Sequence, residues 1–123
     1  ILSEYFNNTC LVLEDDDIIV GYTGGMKSSS LDGVFYLWQI GLMPDYRGKG
    51  YFSMLLDSIV EEVKRLGCHS LEFSVLSDNY QSINAFSNYS KKKGLPMKKR
   101  GSLSFYDKLT DEECKEDIYR ITL

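Results

Sequence analysis

A mixed α/β sheet built around one parallel strand–helix–strand crossover is the fold this sequence predicts, on three observations. An almost unbroken apolar run over residues 35–43 reads as a strand buried on both faces and central in its sheet. From Phe52 onward the apolar residues Leu55, Leu56, Ile59, Val60, Val63 and Leu66 recur at helical spacing until Gly67 supplies a stop. Leu71, Phe73 and Val75 then alternate with Glu72, Ser74 and Leu76, which is a second strand one helix removed from the first. With 123 residues, 43% hydrophobic and 26% charged, the chain is long enough to close one globular domain over a real core.

The flanking elements follow in order. Residues 9–14 and 18–25 are strand-like runs joined by the acidic turn Asp15-Asp16-Asp17, a hairpin by composition. Residues 28–33 form a polar loop that delivers the chain to the central strand, which Pro44 and Asp45 end. After the second strand, Asp78 and Asn79 are helix-start residues. Ile83, Phe86 and Tyr89 or Ser90 continue at helical spacing until Gly94 and Pro96 stop the second helix. Residues 102–106 and 117–123 are expected as closing strands, with the acidic stretch 110–116 read as a solvated loop.

Between central strand and first helix lies Arg47-Gly48-Lys49-Gly50-Tyr51-Phe52. Its glycines allow a tight turn and leave no side chain over the first amides of the helix. Those amides are unpaired and carry partial positive charge, so the turn suits an anionic group, above all a phosphate. Spacing separates the known phosphate turns. The P-loop pattern fails because Met43 stands where it needs glycine and Gly50 where it needs Ser or Thr. The dinucleotide fingerprint has an acid, Glu72, near the required distance but Ser53 at its third glycine.

A net charge of −4 argues against a nucleic-acid partner and for a small cationic one. The basic cluster Lys91, Lys92, Lys93, Lys98, Lys99 and Arg100 reads as a solvated helix end and loop. Cys10, Cys68 and Cys114 are odd in number and far apart, with only His69 as an imidazole partner, which argues for a reducing cytoplasm and against a structural zinc. No apolar stretch approaches the length of a membrane span.

The turn resembles the pyrophosphate-binding signature of the GNAT N-acetyltransferases, Arg or Gln, two residues, Gly, one residue, Gly or Ala, with Arg47, Gly50 and, departing from the pattern, Phe52. Asn79, Ser82 and Phe86 likewise resemble the start of that family's second crossover helix, with Phe86 in place of its Tyr. The segments Leu37-Trp38-Gln39, Asp45-Tyr46-Arg47-Gly48-Lys49-Gly50, Leu71-Glu72, Asp78-Asn79, Ala85-Phe86 and Tyr119-Arg120-Ile121 follow the order and spacing of the branch that acetylates L-2,4-diaminobutyrate in ectoine biosynthesis. That branch also carries Phe where Phe86 stands. It differs in having a small residue at Phe52 and a His within Glu112-Glu113-Cys114-Lys115-Glu116. It begins with a helical region before the position of Ile1, so the resemblance implies a single acetyltransferase domain over 1–123 that lacks its N-terminal strand and helices.

The resemblance implies a GNAT-like sheet, mostly antiparallel, with the parallel crossover at its centre and helices on both faces. It implies acetyl-CoA as co-substrate and no metal. The cofactor would be held by Arg47, Gly48, Lys49, Gly50, Tyr51 and Phe52, by Asn79 and Ser82, and by the strand edge at Ile40, Gly41 and Leu42. In this family a backbone amide at that edge donates to the thioester oxygen. The acceptor is expected to be a primary amine of a small molecule, the 4-amino group of diaminobutyrate first. An ammonium with a pKa of about 10.4 must lose a proton before it attacks. Glu116, where the branch has an acidic residue just ahead of Tyr119-Arg120-Ile121, is expected as base, and Glu113 as charge partner of the ammonium. Tyr36 and Trp38 either wall the substrate pocket or are plain core. The family further suggests a homodimer. Another small amine or a protein amine as acceptor, and a non-catalytic acetyl-CoA-binding module, stay open.

Overall fold

The computed structural model describes residues 10–123. Among them the elements run β1 (Cys10–Asp15), β2 (Ile18–Lys27), β3 (Val34–Leu42), α1 (Tyr51–Arg65), β4 (Ser70–Leu76), α2 (Tyr80–Lys93), β5 (Met97–Asp107) and β6 (Glu112–Thr122). The strands pair in the order β1-β2-β3-β4-β6-β5, with β3 and β4 parallel, so the expected mixed sheet and its crossover are found. Thr9, where the sequence reading begins its first strand, lies outside the described residues. The chain divides into two compact units, one reaching Leu71 and including Leu123, the other spanning Glu72–Thr122.

In the first unit β1 and β2 form the expected hairpin, turning at Asp16 and Asp17 with φ of 48° and 68°. Helix α1 lays Leu55, Leu56, Ile59, Val60 and Val63 on β1, β2 and β3, as its spacing predicts. Leu56 and Val63 are fully buried, and burying each such side chain contributes about 1.5–3 kcal/mol. Strand β3 corrects one expectation. Val34, Phe35 and Leu37 are buried, but Gln39 is exposed and Trp38 is 53% exposed, so only its first half is closed on both faces. The register explains the change: Gly24 faces Gln39 and Gly25 faces Leu37, which leaves Trp38 as the extra residue of a β-bulge. A bulge interrupts the alternation and re-aims side chains, which apolar content alone does not report.

The second unit is organised by two consecutive residues of β4 whose side chains point to opposite faces. Phe73 stacks on Phe86 of α2 at 3.7 Å and on Tyr119 of β6 at 5.6 Å between ring centroids. Glu72, 5% exposed, accepts from Arg120 Nε at 2.7 Å and from Arg100 Nη1 at 3.1 and 3.2 Å. A buried carboxylate needs such partners, because an unpaired charge there is costly. Helix α2 starts on Asn79, whose Oδ1 accepts from the Ser82 amide at 3.2 Å, and ends at Gly94 with φ 67°.

Two further expectations are corrected here. The closing strands are longer than read, and residues 112–116 belong to β6 instead of a loop. The β5–β6 register continues through Leu103↔Glu116, Phe105↔Cys114 and Tyr106↔Glu113. Both faces are open near that end, so no hydrophobic alternation marked it as strand. The basic cluster also divides: Lys98, Lys99 and Arg100 lie in β5, and Arg100 and Lys99 pair with Glu72 and Asp117, the latter at 3.3 Å.

Asp117 is buried, and its carboxylate accepts from Ser102 Oγ at 2.8 Å. That hydrogen bond first, and the Lys99 ammonium after it, hold its pKa below the ordinary carboxylate value. A depressed folded-state pKa means that the unfolded chain binds the proton first as pH falls, so this contribution is present above the unfolded pKa of about 4 and is lost below it. Asp117→Asn should therefore lower the melting temperature at neutral pH, and the gap to the unmodified protein should narrow as pH falls through 5 to about 3. Melting curves that stay parallel across this range would exclude Asp117 from the acid sensitivity.

Candidate functional site

The turn between β3 and α1 has the backbone that its glycines predict. Gly48 and Gly50 adopt φ of 72° and 86°, in the left-handed region that costs other residues about 1–2 kcal/mol. A Cβ built on either would meet nothing within 4 Å, so the turn opens onto free space. Gly50 caps α1 without any side-chain hydrogen bond to its first amides, and no acidic residue stands in the first helical turn. This 15-residue helix therefore presents its positive dipole end to an anion with no side-chain cap in front of it. Lys49 and Arg47 flank the opening, both exposed, and Arg47 is aimed by its Nε, which donates to the Leu42 carbonyl at 3.3 Å. Tyr51 and Phe52 are half-buried at the start of the helix. The donor set suits a pyrophosphate.

Ile40, Gly41 and Leu42 lie just ahead of this turn, half-buried and paired on one side with Thr23, Tyr22 and Gly21 of β2. Tyr36 is half-buried in the same strand. Trp38 is on the surface, which removes the plain-core reading for it. These residues belong to the first unit together with the turn.

In the second unit Asn79 and Ser82 are engaged with each other at the N-terminus of α2. Phe86, 2% exposed, is part of the Phe73 stack, and Tyr89, 3% exposed, is also core. Neither ring offers a hydroxyl at an accessible surface. Glu116 is half-buried in β6 opposite Leu103, whereas Glu113 is exposed opposite Tyr106. Between them in the strand, Cys114 has its thiol pKa pushed up, by burial first and then by Asp107, Glu112, Asp78 and Glu116. Four carboxylates from three separate segments thus act on one point. A thiol kept protonated in this way is a poor nucleophile, while the same negative field favours an ammonium. Sequence reading missed Asp78 and Asp107 here, since it treated 110–116 as a self-contained loop. The only available signal was the concentration of acids on both sides of the β5–β6 turn.

Among the described residues no group of three or more His, Cys, Asp or Glu could hold a metal ion, and no helix is long and apolar enough to cross a membrane.

Residues 2–89 match the acetyltransferase (GNAT) family. The chain belongs to that family. It is 32% identical over 117 residues to the L-2,4-diaminobutyric acid acetyltransferase of Nocardia farcinica, covering 94% of this chain and 60% of the relative. With the enzyme of the same name from Vibrio cholerae it shares 26% over 125 residues, 98% of this chain and 70% of the relative. The chain thus spans about 60–70% of the length of these curated relatives. Among solved structures, diaminobutyrate acetyltransferase EctA from Paenibacillus lautus, in complex with L-2,4-diaminobutyric acid and coenzyme A, superposes with a TM-score of 0.77 at 23% identity, covering 96% of this chain and 72% of that one. This likeness establishes the GNAT fold.

Within a GNAT domain the open glycine turn has a direct test. Gly50→Val places a β-branched side chain at φ 86°, in the open space in front of the turn. The variant should stay folded, lose about 1–2 kcal/mol of stability, and bind acetyl-CoA at least about tenfold more weakly by calorimetry. Unchanged binding by a folded Gly50→Val protein would sink the assignment of the turn.

Proposed function

We propose that the protein is an acetyl-CoA-dependent N-acetyltransferase that acetylates a primary amine of a small molecule, the 4-amino group of L-2,4-diaminobutyrate in ectoine biosynthesis. The observation that carries the first half is the uncapped α1 N-terminus behind two left-handed glycines with open space in front of them. Support for the substrate comes from the names of the relatives and from the carboxylates gathered around Cys114, a field suited to a diamine that is cationic in water. The odd cysteine count, without a Cys-x-x-Cys pair, fits a reducing cytoplasm, and family membership favours a homodimer.

In this reading the residues divide the work. In the first unit Arg47, Lys49 and the turn closed by Gly50 hold the pyrophosphate, and in the second unit Asn79 and Ser82 are the cofactor contacts that the family resemblance implies. A backbone amide among Ile40, Gly41 and Leu42 donates to the carbonyl oxygen, which gains negative charge as the amine attacks. Tyr36 and the exposed Trp38 wall the acceptor side. Glu113 holds the ammonium, and Glu116 takes the proton that frees the attacking lone pair. The thiolate of coenzyme A departs without a tyrosine donor, because Phe86 occupies that position and is locked in the aromatic stack. Since a thiol with a pKa of about 8.5 is a far better leaving group than an amine, protonation by water suffices.

Glu116→Gln keeps the shape of the side chain while removing the base. It should lower the rate about 10²-fold at neutral pH, with partial rescue as the pH rises and free amine forms unaided. A pH–rate profile that overlays the unmodified enzyme would remove Glu116 from the mechanism.

The same buried phenylalanine favours one competing reading, a module that binds acetyl-CoA without catalysis, and an assay of coenzyme A release over a panel of diamines separates the two. The unmodified protein should turn over, and Phe86→Tyr should change its rate less than about tenfold, since no hydroxyl is needed. An inert natural protein beside an active Phe86→Tyr variant would decide for the binding module.

A further inference from the structure

We propose that Asp15, acting through Tyr46, is a positioning residue for the pyrophosphate turn. This rests on the reading of that turn given above. The turn itself has little to hold its shape. Gly48 and Gly50 touch nothing where a side chain would project, and the flanking Arg47 and Lys49 are exposed. Its geometry must therefore be set at its two ends.

The front end is a short 3-10 turn, Pro44–Tyr46, in which the Tyr46 amide donates to the Met43 carbonyl at 2.9 Å and the Arg47 amide to the Pro44 carbonyl at 3.2 Å. From it the Tyr46 hydroxyl reaches across to the β1–β2 hairpin and donates to Asp15 Oδ2 at 2.7 Å. The back end is Tyr51, the first residue of α1, whose ring lies 5.4 Å from that of Tyr46 at a tilt of 58°. One phenol thus touches both sides of the four-residue opening and ties it to a third element distant in sequence. Its pKa is raised, by the hydrogen bond to Asp15 before all else, so it remains a donor throughout the neutral range.

The sign of the charge makes this more than a surface contact. Asp15, Asp16 and Asp17 form an acidic hairpin turn beside a site that is to hold an anion. Acting through space alone, the Asp15 carboxylate would repel the pyrophosphate, and its removal would tighten binding. Acting through Tyr46, it fixes the turn, and its removal weakens binding. The two models predict opposite signs.

The experiment measures acetyl-CoA affinity by calorimetry for Asp15→Ala, Tyr46→Phe, the double variant, Asp15→Asn and Gly50→Val, with KM and kcat alongside. Asp15→Ala and Tyr46→Phe should each raise the dissociation constant about three- to fivefold, the range of a surface hydrogen bond to a charge. The loss should appear in KM for acetyl-CoA and not in kcat, and the double variant should be no weaker than either single one. Asp15→Asn, which still accepts the hydrogen bond but carries no charge, should bind at least as well as the unmodified protein. Tighter binding by Asp15→Ala, or independent additive losses in the double variant, would overturn the proposal. Should Gly50→Val bind acetyl-CoA normally, the pyrophosphate reading fails and the positioning role with it. A weakened Gly50→Val beside an unaffected Asp15→Ala refutes the positioning role alone.

Discussion

The connection from β3 into α1 passes through two left-handed residues, and that constraint carries both the fold and the proposed chemistry of the first unit. Glycine enters this backbone region without the penalty of about 1–2 kcal/mol that most residues meet, so Gly48 and Gly50 let the strand reverse into its crossover helix at little cost. The same missing side chains leave the helix start without a side-chain cap. The turn that connects the two elements is therefore also the proposed anion site, and that proposal needs no separate element. The helix behind it is held down by a continuous apolar face from Leu55 to Val63, so its dipole end stays fixed in place.

The second unit solves a different problem. Burying Glu72 in β4 demands compensation, and Arg100 and Arg120 reach it from β5 and β6, while Phe73, its neighbour, carries the aromatic stack on the opposite face. Three strands are thus registered by one carboxylate. At the other end of β6 the pattern changes to gathered acids. Asp78, Asp107, Glu112 and Glu116 all raise the Cys114 pKa, which concentrates negative charge where a cationic amine is proposed to bind. The resemblance to the diaminobutyrate branch runs through both regions, and its parts differ in kind. Leu71-Glu72, Phe86 and Tyr119-Arg120-Ile121 are structural, because their side chains form the core, the stack and the buried ion pair.

Periodicity and glycine placement in the sequence determined the two helices, the hairpin, the parallel crossover and the left-handed glycine turn, since each of these is written in local spacing that any tertiary context would read alike. Asn79 as a cap and Gly94 as a stop were legible for the same reason. Only the tertiary structure decided the bulge at Trp38, because pairing with Gly24 and Gly25 of another strand creates it. It also decided that 112–116 is strand: a hairpin end open on both faces has no hydrophobic alternation to betray it, and only pairing with β5 shows it. Charge partners were equally hidden, as Glu72 with Arg100 and Arg120, and Asp15 with Tyr46, join residues far apart in the chain. Local order follows from the sequence at short range, whereas register and ion pairing are long-range contacts that a linear pattern does not encode.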